Sequence, residues 1–195
     1  MYKLCKTEQS SKRQREIETI LLDLMMKKRF DDIKVSEICE IANIPRKAFY
    51  RYFDSKDGAL AALLDHNIID FHNFSAGHLR GRRTLKGEFE EFFRFWKERA
   101  RLLDAFEKSN LTGLLIQSCS SYSVGEFVNI KKFLDNDDDW LNMQIFKFAV
   151  SGLMTIMIAW YKSGFEKSIS DMAQAAARLV NAPLFPALSK HGIEN

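Results

Sequence analysis

Residues 35–57 read VSEICEIANIPRKAFYRYFDSKD, and this stretch decides the architecture. It splits into two short helices, about Val35–Ile41 and Pro45–Phe53, around the turn Ala42-Asn43-Ile44. At about 100° per residue, Pro45, Phe49, Tyr52 and Phe53 fall on one side of the second helix. Arg46, Lys47, Tyr50 and Arg51 cluster opposite. The first set suits packing on neighbouring helices. The second offers cationic donors for phosphates and base edges, and Arg can pair bidentately with guanine. The pattern therefore predicts a rigid rod presented to the major groove of duplex DNA. Tyr50 and Tyr52 carry hydroxyls suited to phosphate oxygens, contacts that fix register without reading sequence.

The turn supports the same reading. A sharp helix-to-helix corner needs a residue with positive φ, which Asn43 tolerates better than most. Ala42 lets the helices approach, Ile44 plugs the angle, and Pro45 suits a first helical turn because its missing N–H would be unpaired there. Ile38 and Ile41 are expected to point inward, with Cys39 in the core. After Phe53, Asp54 or Ser55 caps the next helix. Lys56 then sits at that helix's N-terminus, where exposed N–H groups and the positive dipole end attract phosphate.

Upstream, Ser11 with Gln14 makes a capping-box pattern. Ile17, Ile20, Leu21, Leu24 and Met25 follow at helical spacing. Lys12, Arg13 and Arg15 are either further phosphate candidates or a solvated helix end. Downstream, a long helix runs from Lys56 through Phe71 and would link two domains, and Gly77–Arg83 reads as a loop. From Thr84 a second helical body begins, with Phe89, Phe92, Phe93 and Trp96 forming an aromatic stripe. Ala100–Ser109 continues as a helix with Phe106, and Asn110–Phe133 as another, broken near Gly125. Trp140–Lys162 is apolar nearly all round, Gly164 ends it, and Ser170 caps a last Ala-rich helix, Asp171–Asn181, stopped by Pro183. The most apolar run, Phe148–Trp160, is thirteen residues, too short to span a bilayer. The expected fold is all-α, with a DNA-binding domain over 1–56 and a larger helical domain over 57–195.

Composition narrows the classes. Only 3 of 195 residues are Pro and alternating β-branched runs are few, which favours helices. Residues 1–56 hold 13 Lys and Arg against 9 Asp and Glu, while the remainder holds 16 against 17. The positive excess thus lies on the candidate DNA-binding part. Cys5, Cys39 and Cys119 show no zinc spacing. The N-terminus lacks the apolar segment of a signal peptide, so a cytoplasmic location is expected. The acidic run Asp135–Asp139 fails as a calcium loop, because Trp140 and Phe146 stand where Gly and Glu are required. It reads instead as a helix N-terminal flank. No Gly-rich phosphate loop, Gly-x-Ser-x-Gly or His-Glu-x-x-His occurs. His66, His72 and His78 are spaced by six and share no face. Neither an enzyme nor a metal or cofactor site is expected.

These motifs, across Ile17–Leu64, resemble the N-terminal domain of the TetR family of bacterial transcriptional regulators. Phe30 matches the aromatic after the first helix. Ile38-Cys39 stands for Ile-Ala, and Ala42-Asn43-Ile44-Pro45 for Ala-Gly-Val-Ser. Phe49-Tyr50-Arg51-Tyr52-Phe53 stands for Leu-Tyr-x-His-Phe, and Ser55-Lys56-Asp57 for Ser-Lys-Glu. Asn43, Pro45, Tyr52 and Lys34 depart from the usual Gly, Ser, His and capping Thr. The resemblance implies phosphate contacts from Tyr50, Tyr52 and Lys56, with Arg46 and Lys47 nearest the bases. Ser36, Ala48 and Arg51 complete the expected DNA-contact set.

The resemblance further implies a regulator, by family default a repressor, acting as a homodimer on a near-palindromic operator and released by a small hydrophobic effector. Candidate pocket residues are Phe89, Phe92, Phe93, Trp96, Phe106, Tyr122, Met143 and Phe146, although a stripe at helical spacing is more often core. Candidate dimer residues are Ile145, Phe148, Gly152, Ile156 and Trp160 on one helix, and Met172, Ala176 and Leu179 on the other. The competing reading is a helical protein-interaction module that never touches DNA.

Overall fold

The computed structural model describes residues 1–3, 5, 7–78, 84–121 and 138–181. Tyr122, Gly125, Pro183, the acids at 135–137, residues 79–83 of the expected Gly77–Arg83 loop and residues 122–133 of the expected Asn110–Phe133 helix lie outside them. The described chain is helical: α1 Glu8–Lys27, a 3-10 turn Phe30–Asp32, α2 Val35–Ile41, α3 Arg46–Phe49, α4 Lys56–His78, α5 Leu85–Lys97, α6 Ala100–Lys108, α7 Thr112–Ser121, α8 Asp139–Lys162 and α9 Ile169–Asn181.

The chain forms two compact units. One comprises Met1–His72 and Arg99–Tyr122, the other Asn73–Glu98 and Ser123–Asn195. The first unit therefore extends beyond residue 56 and takes in α6 and α7. Its α6 packs on α1, and three polar ties add to the packing. Arg101 reaches Asp23 at 2.5 Å, Lys108 donates to the Met26 carbonyl, and the Phe30 N–H donates to the buried Ser109 hydroxyl at 3.0 Å. Ile17, Leu21, Met25, Ile38, Phe49, Phe53, Leu103 and Phe106 are fully buried. Each such side chain contributes about 1.5–3 kcal/mol relative to exposure.

Helix ends follow local chemistry. Thr7, not Ser11, caps α1, accepting from the Ser10 N–H at 3.2 Å. The helix thus starts one turn earlier than the capping-box pattern predicted. Ser11 lies inside it, and Gln14 is buried rather than capping. Ser55 caps α4 through the Gly58 N–H. Ser168, not Ser170, caps α9, exchanging bonds with Asp171. α8 ends at Gly164 as expected. Gly164 has φ +73°, and its N–H and that of Phe165 return to the Tyr161 and Trp160 carbonyls. This closure satisfies two orphan carbonyls of the last turn.

In the second unit α5 packs against α9 and α8. Phe93 lies edge-on to Trp160 at 5.5 Å, Phe92 contacts Phe93 and Trp96, and Phe74 contacts Phe95. Ala173 and Ala176 are buried, as close helix approach requires. α8 has 24 residues, starting one residue before the expected Trp140–Lys162 helix. By length and mean hydropathy (1.5) it is apolar enough to cross a membrane, and 39% of its most apolar window is buried in the fold. Its buried face carries Phe146, Val150, Leu153, Met154 and Met157. Its other face exposes Leu141, Ile145, Phe148, Gly152, Thr155 and Ala159, spaced four, three, four, three and four residues apart.

Candidate nucleic-acid interface

The corner of the helix-turn-helix is built on Asn43. α2 stops at the Ala42 cap, and Asn43 takes φ +50°. The Asn43 and Ile44 N–H groups return to the Glu40 and Cys39 carbonyls at 3.1 and 3.0 Å. An Asn can hold this left-handed backbone because its short side chain tolerates it, whereas a β-branched residue cannot do so cheaply. Asn43→Val is expected to lower unfolding stability by about 1–2 kcal/mol, the left-handed penalty for an ordinary side chain. Asn43→Gly should leave it nearly unchanged; urea denaturation checks both.

The entry to α2 has an equivalent device. Lys34 supplies no side-chain cap, but Glu37 accepts from the Lys34 N–H at 2.7 Å and from Lys28 at the end of α1 at 2.5 Å. Hydrogen bonding to Lys28, then to the Lys34 N–H, holds the Glu37 carboxyl below its ordinary value. A depressed carboxylate contributes stability above its unfolded value, about pH 4.3, and loses it as pH falls through the lower folded value. The stability gap between the native chain and Glu37→Gln should therefore be widest near neutrality and shrink below about pH 4. Urea midpoints measured at neutral and acid pH would detect it.

The reading helix is shorter than expected. α3 covers only Arg46–Phe49, with Pro45 as its extended cap. Beyond it the bonds tighten: Arg51 and Tyr52 N–H groups return three residues, to Ala48 and Phe49. The rod thus ends in a turn over 50–52 rather than continuing as α-helix to Phe53. The separation of faces still holds. Phe49 and Phe53 are fully buried, while Arg46, Lys47, Tyr50 and Arg51 are exposed. Arg46 also reaches the Tyr50 hydroxyl at 3.4 Å, so these two side chains stand together on the outer face. Pro45 is exposed instead of packed inward, and Tyr52 is half-buried.

Four expectations need correction. Ala48 is 7% exposed and belongs to the buried side with Phe49, not to the exposed front. Ile41 points outward at 55% exposure. Arg15 is taken up by Asp70 in a two-pronged pair at 3.0 and 2.9 Å. Lys56 donates to the Phe30 and Asp31 carbonyls at 2.6 and 3.1 Å, with its ammonium 4.3 Å from the Phe30 ring centre. At most one of its three protons then remains for a phosphate. Ser36 is exposed near the start of α2. Lys12 is exposed, and Arg13 pairs with Glu16.

In the second unit, Phe89, Phe92, Phe93, Trp96 and Phe146 are buried together with Trp160, Met143 is half-buried, and Phe106 belongs to the other unit. Of the expected dimer residues, Ile145, Phe148, Gly152 and Leu179 are exposed and Ile156 is half-buried. Trp160, Met172 and Ala176 are instead buried within the chain's own fold. Trp160 packs on Phe93 and Phe165 and donates to the Lys167 carbonyl. Cys119 is buried, which pushes its thiol up to about 12 and keeps it from acting as a thiolate. Among the described residues no group of three His, Cys, Asp or Glu is placed to hold a metal.

Sequence reasoning missed the buried Glu18. Its carboxylate meets His66 Nδ1 at 2.9 Å, between α1 and α4. It also missed the segment Met1–Lys3, which pairs with residues 52–54. Neither has a periodic signature in the sequence.

Residues 22–63 match the family model described as bacterial regulatory proteins, tetR family. The match runs from α1 into the first turns of α4. Among solved structures, the chain is similar to a tetR-family transcriptional regulator from Streptomyces coelicolor (18% identity, covering 87% of this chain and 79% of that one, TM-score 0.56). It is similar to the dihydroxyacetone kinase operon activator DhaS (18%, 86% and 93%, TM-score 0.56). It is also similar to the fatty acid degradation regulator FadR from Bacillus halodurans (12%, 93% and 99%, TM-score 0.60). At these identities the likeness is one of fold. No curated protein matches the sequence. The helix-turn-helix segment is thus similar to the DNA-binding segment of the bacterial tetR family of regulatory proteins, and it is set in a fold shared with tetR-family regulators.

Proposed function

We propose that the protein is a cytoplasmic repressor that binds a near-palindromic operator as a homodimer. Residues 1–56 do the reading, and 57–195 carry dimerisation and effector response. The observation behind this is the division of residues 46–53 into a buried aromatic back and an exposed Arg46-Lys47-Tyr50-Arg51 front. Arg46 and Lys47 take the base edges. Tyr50 and Tyr52 take phosphates, as does the remaining Lys56 proton, while Ser36 and Arg51 flank them. The exposed face of α8, with Leu179 of α9, supports the dimer. Its alternating spacing of four and three residues keeps these side chains on one side of the helix, as a helix–helix seam requires. The second unit's aromatic residues favour a small hydrophobic effector, which switches the protein only if it binds better to one spacing of the reading heads.

Selection of bound duplexes from a random-sequence pool tests the proposal. A near-palindromic consensus with half-sites about one helical turn (~34 Å) apart is expected. Failure to enrich any sequence would favour the interaction module instead.

A further inference from the structure

The segment Met1–Lys3 lies along the end of the reading element. The Lys3 N–H donates to the Tyr52 carbonyl at 2.9 Å, and the Asp54 N–H donates to the Met1 carbonyl at 3.1 Å. Tyr2 and Phe53 thereby form an antiparallel bridge. The Lys3 ammonium donates to the Tyr50 carbonyl at 3.1 Å. Two other helices hold the segment from behind. Buried Gln14 of α1 donates to the Lys3 carbonyl at 3.1 Å and accepts from Cys5. The Tyr2 ring lies against His66 of α4 at 5.7 Å, and His66 is itself fixed by buried Glu18. A side chain at Gly58 would collide with the Met1 carbonyl, so the glycine lets the segment cross α4.

These contacts fall where α3 has already ended. Tyr50, Arg51 and Tyr52 sit in a turn with tightened bonds, and their carbonyls lack the continuing helix that would otherwise satisfy them. We propose that Met1–Lys3 is a positioning strap. It supplies the missing partners for the Tyr50 and Tyr52 carbonyls and fixes the side chains at 50–52 in the geometry that meets DNA. This rests on the DNA-reading role proposed above.

Gly58→Ala tests it, because the change replaces no residue of the strap or of the DNA face and displaces the strap only through the Met1 carbonyl. Alanine favours a helix over glycine, so a purely structural effect would hold or raise the melting temperature. The strap predicts the opposite sign for binding. If displacement leaves about a tenth of the reading turns competent, affinity for the selected duplex falls about tenfold per reading head. The melting temperature should not fall. Amide exchange at Lys3 and Asp54 should accelerate in the variant, and deleting residues 1–3 should reproduce the affinity loss without adding to it when combined with Gly58→Ala. Unchanged affinity in either variant overturns the proposal, as does unchanged exchange in Gly58→Ala. If the native chain binds no duplex at all, the DNA-reading role fails on its own. Exchange at Lys3 and Asp54 then decides whether the segment is held as described.

Discussion

Replacing Arg46 with alanine is expected to weaken binding to the selected operator by roughly thirtyfold to more than 10⁴-fold. A good contact from a cationic side chain to a base edge is worth about 1–3 kcal/mol. A homodimer carries the substitution twice, so about 2–6 kcal/mol is at stake, at ~1.4 kcal/mol per tenfold. Lys47→Ala should act likewise. Arg46 and Lys47 are exposed while the helix they stand on is anchored by Phe49 on its other side, so neither change should disturb folding. Tyr50→Phe should instead cost similar factors on every duplex, because a phosphate contact carries no sequence information. Binding titrations on operator and scrambled duplexes separate the two. Equal losses on both for Arg46→Ala and Lys47→Ala would remove them from base readout.

Phe148→Asp is the second large effect. Phe148 is 70% exposed in the single chain, near the middle of the Leu141–Ala159 stripe. On a free surface such a change is worth within about ±0.5 kcal/mol. In a symmetric seam it removes two buried rings at about 1.5–3 kcal/mol each and places two carboxylates against apolar surface. Dimer dissociation should strengthen by at least about a hundredfold, and operator affinity should fall with it. Sedimentation equilibrium gives the answer: a fully folded monomer is expected. A dimer of native strength would place the interface elsewhere.

Local signals made much of this legible. The corner followed from Asn43, and α2 and α3 followed from the apolar spacing around it. Gly164 marked the end of α8, and Thr84 the start of α5. Competition hid other features. Thr7 and Ser11 both make plausible caps, and only the buried Gln14, tied to Lys3 and Cys5, selects the earlier one. Lys56 looked free because its partners, the Phe30 and Asp31 carbonyls, come from a turn about 25 residues away. The short reading helix was hidden for a similar reason: the Met1–Lys3 segment that pairs with its end lies 47 residues upstream at Tyr50. Trp160 and Phe148 look alike in a helix apolar all round. Only the packing of Trp160 on Phe93 of α5 and on Phe165 shows that the first faces inward and the second outward.

Methylation protection at guanine N7 on the selected duplex separates major-groove reading from phosphate binding alone, because that atom lies on the floor of the major groove. At saturation, protected guanines are expected in two half-sites about one helical turn apart, with protection lost in Arg46→Ala. Full reactivity of every guanine N7 under a saturating amount of protein would contradict it.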